Sequence, residues 1–563
     1  MSARCLPRFG LAAALLGLTG CYSGQSGDGG ETDGESEGGE DDGDNPGPGD
    51  PGVPLCDADS SDVAGPRLLR RLTVPELDAS VRSTFGLDAA AWAGPELPPD
   101  PAASSGFTND ADRLRVSEAF AGSLQSTAEG VAEQVSEPAR LAGLLPCSSQ
   151  GGSDCAKEFV ERYGALLYRR PLTEVELARF ADLHAEVSPE EGFAGFVYWA
   201  TVALMQSPNF VYRSELGDPG GDEGYTLSPY EVATALAYTF TGTQPDAALL
   251  EQAAAGGLQT SEAIVAAARA LAKDADDRPS AALRARLHAF NRQWLGLSSL
   301  ANLDKDSTLY PGFTPEVKAS MQVELDGFLE QVIFEEGGGV QELLTADHSV
   351  LDAALASFYG FGEAGGVSAK PAGWGTGILS LGGVLAAHST YLATSPTQRG
   401  YMVRSKLLCD PPPPPPPDVG DLPEPSATET TRQRYEMHAS NPSCAGCHNL
   451  MDPIGYGFES LDASGRFRET DNGYAIDNSG SIVGLDGESV DFVGPVELAN
   501  ALAGSDAVAE CVTAQMASYA FGLESDNTRC IVDGPAAQVA SGELGLVDAF
   551  VAFAGTRHFL HRN

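Results

Sequence analysis

Two cysteines and a histidine toward the C-terminal end carry the clearest chemistry in this sequence. Cys444, Cys447 and His448 stand in the spacing C-x-x-C-H within "NPSCAGCHNLMDPIGYGFESLD" (441–462). Two thiols three positions apart can form thioethers with the two vinyl groups of one haem, and the adjacent histidine then binds the iron. The motif therefore predicts a covalently bound haem c at Cys444 and Cys447, with His448 as the proximal iron ligand.

Two other uses of these residues remain open. Cys444 and Cys447 could form a local disulfide, with His448 unrelated to it. The same thiolates could instead hold zinc or iron, which would need a fourth ligand from elsewhere. The haem interpretation predicts a redox protein that transfers electrons or performs an oxidative reaction. Its alternative is a non-redox protein of the cell envelope, in which the motif is a structural clip and the partner is a polysaccharide or another envelope component.

The sequence does not select the distal haem ligand or a catalytic residue. The candidates for a distal ligand are Met516, His438, Met451, His388 and His558. Asp452-Pro453 predicts a turn, and a carboxylate there could tune the polarity around a haem. No nucleophile elbow, phosphate loop or dinucleotide fingerprint stands in a suitable context, so whether the chain is an enzyme stays open.

The N-terminus predicts export and lipidation. Arg4 and Arg8 precede the apolar run "FGLAAALLGLTG", which is too short to span a bilayer, so residues 1–21 form a signal peptide. The ending "LTGC" resembles a bacterial lipoprotein box, with Cys21 as the lipidated residue, and an ordinary signal peptide is the alternative. Tyr22 favours the outer membrane. We therefore expect an exported envelope lipoprotein whose partner is a lipid membrane.

An acidic segment follows the lipid anchor. Residues 22–66 contain thirteen Asp or Glu and no Lys or Arg. Such a segment cannot bury enough apolar surface to fold, so 22–65 is predicted to be a disordered tether. The whole chain has a formal net charge of −45, which argues against nucleic acid as a partner.

The remaining cysteines are expected to pair, because exported proteins mostly oxidise their thiols. The predicted pairs are Cys147–Cys155, which flanks the loop "CSSQGGSDC", and Cys511–Cys530, which brackets a helical segment and its turn. Cys56 and Cys409 remain and could pair with each other, and the sequence leaves their pairing open. Spacing alone does not establish this connectivity.

The fold is predicted to be mainly α: a multi-module helical body with a small β hairpin after the CxxCH motif. In "TPEVKASMQVELDGFLEQVIFEEGGG", Thr314 can cap a helix with Pro315 at its first position, and Gly337 to Gly339 end it. The best hairpin candidate is "GYAIDNSGSIVG", with its turn around Asn478-Ser479-Gly480.

A series of phrases resembles a known domain order. They are "RRLTVPELDASVRSTFGL" (70–87), "FVERYGALLYRRPLTEVEL" (159–177), "MQSPNFVYRSE" (205–215), "FNRQWLGL" (290–297), "ATSPTQRGYMVRSKLLCDPPPPPPPDVG" (393–420) and "ECVTAQMASYAFG" (510–522). This order resembles the large exported proteins of planctomycetes and myxobacteria that are built from domains of unknown function 1587, 1595, 1592, 1588 and 1585. The resemblance implies modules at 66–140, 147–217, 222–362, 373–470 and 471–563.

Overall fold

The structure, a computed structural model, describes residues 62–88, 97–220, 224–361, 366–413, 422, 424–524 and 528–563. The predictions for the signal peptide, for Cys21, for the tether up to residue 61 and for Cys56 lie outside these ranges. Within the described ranges, no helix is both long and apolar enough to cross a membrane.

Helices dominate the described part of the chain, which confirms the predicted fold class. In chain order they are α1 (Val74–Phe85), α2 (Glu118–Val135), α3 (Pro138–Leu144), α4 (Ser153–Phe159), α5 (Ala165–Tyr168), α6 (Glu174–Gln206), α7 (Pro208–Val211), α8 (Pro229–Thr241), α9 (Ala247–Ala254), α10 (Ser261–Ala272), α11 (Ala281–Trp294), α12 (Pro315–Leu329), α13 (Val340–Thr345), α14 (Ala353–Tyr359), α15 (Gly382–Ala387), α16 (Pro396–Leu407), α17 (Thr431–Ala439), α18 (Pro442–Tyr456), α19 (Gly494–Ala503), α20 (Asp506–Phe521), α21 (Asp533–Ala540) and α22 (Leu546–Ala552). Single π-helical turns continue α4 and α12, over Val160–Gly164 and Glu330–Glu335.

The strands are short and form small antiparallel sheets. They are β1 (Leu68–Arg71), β2 (Tyr212–Glu215), β3 (Asp218–Pro219), β4 (Tyr225–Thr226), β5 (His348–Leu351), β6 (Gly366–Ala369), β7 (Thr470–Asp471), β8 (Tyr474–Ala475), β9 (Ser479–Leu485), β10 (Glu488–Val493) and β11 (His561–Arg562). The pairs are β1 with β2, β5 with β6, β7 with β8 and β9 with β10, while β4 lies between β3 and β11.

Local sequence signals explain where the helices begin and end. The Thr314 side chain accepts a hydrogen bond from the Val317 amide at the start of α12, and Gly337 has a φ of +70° just beyond its π-helical extension. The apolar residues that recur at three- and four-residue steps along this helix and its extension are buried, namely Val317, Met321, Leu325, Phe328, Leu329 and Val332. Ser207 caps α7 and Pro208 is its first residue, so α6 ends at Gln206.

The predicted modules share two hydrophobic cores. The smaller core is built from residues of 72–211 together with Tyr238, and the larger one runs from Phe107 and Leu227 to Phe559. The N-terminal and C-terminal ends of the described chain meet at a buried charge cluster. Glu215 of β2 is paired with Arg70 of β1 and Arg562 of β11. Burial alone would raise the pKa of Glu215, but these arginines hold it well below its usual value.

Residues 62–65, which the sequence assigns to the tether, are part of this folded body. Ala64 is buried, and the Gly65 amide donates to the carbonyl of His561. The Asp62 amide likewise donates to the carbonyl of Cys530, at 2.6 Å. The predicted boundary at residue 65 is therefore too late, because residues 62–65 belong to the folded body.

The disulfides agree with one predicted pair and contradict another. Cys147 and Cys155 are bonded, with a Cα–Cα distance of 5.8 Å. Cys511 is bonded to Cys409 with a Cα–Cα distance of 5.5 Å, so the predicted pair Cys511–Cys530 is wrong, and Cys409 is not the partner of Cys56. The reason is tertiary, because α16 packs against α20 and brings Cys409, just beyond α16, to Cys511. Cys530 is also disulfide-bonded.

The hairpin after the CxxCH motif exists, but its turn lies elsewhere. The Asn478 to Gly480 segment leads into β9 instead of forming the turn, and the chain reverses at Asp486 and Gly487, between β9 and β10. Both residues have positive φ angles, of 49° and 83°. An Asp-Gly pair is well suited to a tight hairpin turn with two such residues, so the signal was present in the sequence.

Candidate functional site

The CxxCH residues lie on one helix, α18. Residues three and four positions apart occupy the same face of a helix, so Cys444, Cys447 and His448 form one cluster. Cys444 is buried, whereas Cys447 and His448 are half-buried. Two thiols and an imidazole on one helix face are the donor set that covalent haem attachment requires.

Both cysteines have free thiols in the structure. The Cys444–Cys447 disulfide of the alternative interpretation is therefore not formed. A zinc or iron site built on the same thiolates would need further ligands. Among the described residues, no group of three or more His, Cys, Asp or Glu is placed to hold a metal ion.

Helix α16 fixes the position of α18 through a close crossing without intervening side chains. A methyl group at Gly400 of α16 would overlap the backbone of Met451, and one at Gly455 of α18 would overlap the backbone of Pro396. Arg404 of α16 adds a hydrogen bond from Nε to the Leu450 carbonyl, at 3.0 Å. Glycine is used at both contacts because only it allows the backbones to approach this closely.

Arg399 holds the chain that leaves α18. Its side chain is fully buried and donates to the carbonyls of Phe458, Leu461 and Asp462 at 2.8 to 2.9 Å. Its Nη2 also donates to the Ser389 hydroxyl, at 3.0 Å. Arg399 is thus a clamp on the backbone that supports the site, and it does not face an external ligand.

His448 is oriented by a buried carboxylate. Its Nδ1 donates to Asp452 Oδ2 at 2.8 Å, and the Thr397 hydroxyl donates to Asp452 Oδ1 at 2.6 Å. The bond to Asp452 raises the pKa of His448 above its ordinary value, against the opposing effect of burial. Because Nδ1 is occupied, Nε2 is the ring nitrogen that remains for a metal.

The predicted turn at Asp452-Pro453 is wrong, since α18 continues through both residues to Tyr456. This continuation matters for the site. It places Asp452 one helical turn beyond His448, on the same face, where its carboxylate can reach the imidazole. The role of Thr397 was not predictable from the sequence, because its contact with Asp452 depends on the crossing of α16 and α18.

A cleft of about 710 Å³ opens beside His448. Its walls come from α17, α18 and the β9–β10 hairpin, with Arg432, Tyr456 and Phe492 among the lining residues. Arg432 lies 4.6 Å above the centre of the Tyr456 ring and donates to the Ser479 carbonyl, so it joins the three walls. The volume is within the range of roughly 300–1,000 Å³ that small-molecule sites occupy.

Of the candidate distal ligands, the structure brings His438 to the site. Its ring centre lies 4.9 Å from that of His448. Met451 is buried where α18 crosses α16. Met516 is a core residue of α20, His388 bonds through Nδ1 to the Val384 carbonyl, and His558 packs against Phe521. Sequence order could not place these candidates relative to His448, whereas the fold does.

Glu459, the other acidic residue near the motif, has a structural role. Its buried Oε2 accepts hydrogen bonds from Thr394 and Arg468, at 2.8 and 2.7 Å. Arg468 also pairs with Asp471, whose other oxygen accepts from the first amide of α17. Burial raises the pKa of Glu459. This network joins α17 to the chain that follows α18.

Asp452→Asn is expected to lower the pKa of His448 in the haem-free protein, because the carboxylate raises it and burial lowers it. A raised native pKa stabilises the fold below the ordinary histidine pKa, and this stability is lost as pH rises through the raised value. The variant therefore loses stability relative to wild type mainly below about pH 6.5. NMR titration of His448 and unfolding at several pH values test this.

Asp347→Asn is the matched control for that titration, because it removes an exposed carboxylate beside another histidine, His348. We expect it to leave the His448 titration unchanged. An unaltered His448 pKa in Asp452→Asn would contradict the assigned hydrogen bond.

Four family profiles match the chain, each described as a protein of unknown function. They are DUF1587 (PSD3) at residues 70–137, DUF1595 (PSD5) at 155–215, DUF1592 (PSD4) at 227–361 and DUF1588 (PSCyt3) at 375–471. The last range contains α16, α17 and α18, and with them the whole CxxCH cluster. No curated protein and no solved structure matches the chain.

Proposed function

We propose that this chain, which carries the domains of unknown function 1587, 1595, 1592 and 1588, is a redox protein that holds a single haem c. Cys444 and Cys447 would form the thioethers, and His448 would bind the iron through Nε2. The observation that carries the proposal is the pairing of two free thiols with a histidine whose Nδ1 is held by buried Asp452. The family name PSCyt3 is consistent with a cytochrome-like domain.

The residues around His448 suit this role. A metal-bound histidine commonly donates its second ring nitrogen to a carboxylate, which fixes the ring and makes the imidazole a stronger ligand. Asp452 and Thr397 supply that arrangement here. A bound haem would supply a one-electron couple. The chain would orient it through α18, and His448 of that helix also lines the neighbouring cleft.

The proposal is tested on the wild-type protein, expressed in an exporting host with a cytochrome maturation system. We expect a pyridine haemochrome spectrum of haem c and an intact mass that includes one covalently bound haem. The colour persists through denaturation, because thioethers survive the loss of iron coordination. A correctly exported, colourless protein with two unmodified cysteines at 444 and 447 would reject the proposal.

We also propose that the protein is an exported lipoprotein anchored through Cys21, for the sequence reasons given above. Cys21→Ser is then expected to release the protein from the membrane fraction or to block its processing. The measurement is fractionation together with electrophoretic mobility. Cys5→Ser, within the predicted signal peptide, is the control and is expected to behave like wild type. A Cys21→Ser variant that stays in the membrane fraction with wild-type mobility would exclude lipidation at Cys21.

A further inference from the structure

A second cleft, of about 680 Å³, is lined in part by residues of two segments, "YRRPLT" (168–173) and "SPNFVY" (207–212). It shares no lining residue with the cleft beside His448. Tyr168, Tyr212 and Tyr230 line it together with Asn209 and Asp218, and we call it the tyrosine cleft. These tyrosines are scattered along the sequence, and only the fold gathers them.

Arg169 builds a rigid frame for this cleft. It is buried and has a φ of +59°, a backbone conformation that residues other than glycine rarely adopt. Its guanidinium donates to the carbonyls of Leu167, Phe210, Asn209 and Tyr212, at 2.6 to 3.2 Å. One side chain therefore fixes the backbone on which Tyr212 and Asn209 stand. Backbone strain of this kind persists where the surrounding structure enforces it, and it is common at ligand sites.

Arg170 and Asn209 form a polar wall of the cleft, in which the charge of Arg170 is balanced and both side chains are held in place. Arg170 pairs through both terminal nitrogens with Glu176, at 2.9 Å, and also donates to Asn209 Oδ1. These bonds lower the pKa of Glu176 to about 2, so the pair stays ionised at neutral pH. Polar groups fixed before binding lose little entropy when a ligand arrives.

The tyrosines supply the apolar surface of the cleft. A tyrosine ring offers an apolar face and a hydroxyl that can donate and accept hydrogen bonds. Burial raises the pKa of Tyr168 to about 12, so its hydroxyl stays protonated. Leu69, which is 59% exposed, adds apolar surface to the same cleft.

From this combination we propose that the tyrosine cleft binds an uncharged saccharide. A sugar ring has an apolar face that packs on tyrosine and a rim of hydroxyls that donate to Asp218 and Asn209. Asp218 and Glu231 line the cleft together with Arg169 and Arg170, so the cleft presents charges of both signs and favours neither an anion nor a cation. A proline-rich peptide would match the rings, but it brings few hydrogen-bond donors for the polar wall.

The test uses the mature full-length protein and three neutral probes: cellohexaose, maltohexaose and fully N-acetylated chitohexaose. We expect at least one of them to bind, measured by calorimetry or by saturation-transfer NMR. Tyr212→Ala and Tyr230→Ala are each expected to weaken that binding about tenfold, since each removes an aromatic face. Tyr230→Phe keeps the face and is expected to retain most of the affinity.

Tyr391→Ala is the control, because Tyr391 is an exposed tyrosine that does not line the cleft. It is expected to bind like wild type, and thermal melts show that each variant is folded. Three outcomes would overturn the proposal: no binding of any probe at millimolar concentration, folded tyrosine variants that bind like wild type, or binding of a proline-rich peptide in place of the sugars.

Discussion

The double variant Cys444→Ala/Cys447→Ala is expected to contain no covalent haem. Both thioethers are lost at once, so the haemochrome signal and the added mass disappear together. The replacements leave α18 in place, because alanine is a good helix former and its crossing with α16 uses Gly400 and Gly455 instead. Spectroscopy and intact mass of the exported variant provide the measurement.

Two further variants make this result specific. Cys147→Ala/Cys155→Ala removes another cysteine pair and is expected to keep the haem, because that pair is a disulfide distant from α18 in the chain. His448→Ala is expected to change the visible spectrum and to lower the yield of attached haem, since it removes the iron ligand and leaves the thiols. Haem that stays covalently bound in Cys444→Ala/Cys447→Ala would show that attachment occurs elsewhere.

The second large effect concerns stability. Cys409 and Cys511 close a loop with a sequence separation of 102. Chain entropy predicts that a loop of about 100 residues stabilises the native state by about 4.7 kcal/mol at 25 °C. Cys409→Ala/Cys511→Ala is therefore expected to lower the free energy of unfolding by an amount of this order. Urea unfolding of wild type and variant under oxidising conditions measures the difference.

The local disulfide provides the comparison. Cys147 and Cys155 are separated by 8 residues, for which the same relation gives about 2.5 kcal/mol. Cys147→Ala/Cys155→Ala is thus expected to cost roughly half as much as the long-range pair. If the long-range variant lost no more stability than the local one, loop closure would not be the source of the stabilisation.

Features that depend only on residues close together in the chain were predictable from the sequence. Thr314 caps α12 and Pro315 starts it, as expected, because a cap depends on residues three positions apart. The CxxCH residues share a helix face for the same local reason. The hairpin turn at Asp486-Gly487 is also encoded locally, because an Asp-Gly pair favours a tight turn more strongly than the Asn478 to Gly480 segment does.

Features that depend on tertiary contacts were not predictable. The Cys409–Cys511 bond needs α16 to pack against α20, and the Thr397–Asp452 bond needs α16 to cross α18. Likewise, Tyr168, Tyr212 and Tyr230 form one surface only because the fold brings their three segments together. Composition and spacing carry no information about such contacts, so they indicate the CxxCH site but not the tyrosine cleft.

The Cys409–Cys511 bond also has a consequence for what proteolysis does to the protein. The proline run, α17, α18 and the β9–β10 hairpin all lie between its two cysteines. A protease that cuts the backbone once within this segment produces two polypeptides, but the disulfide keeps them in a single molecule. The helix proposed to bear the haem would then remain attached to the rest of the body after such a cut. Its release would require either a second cut or a reductant.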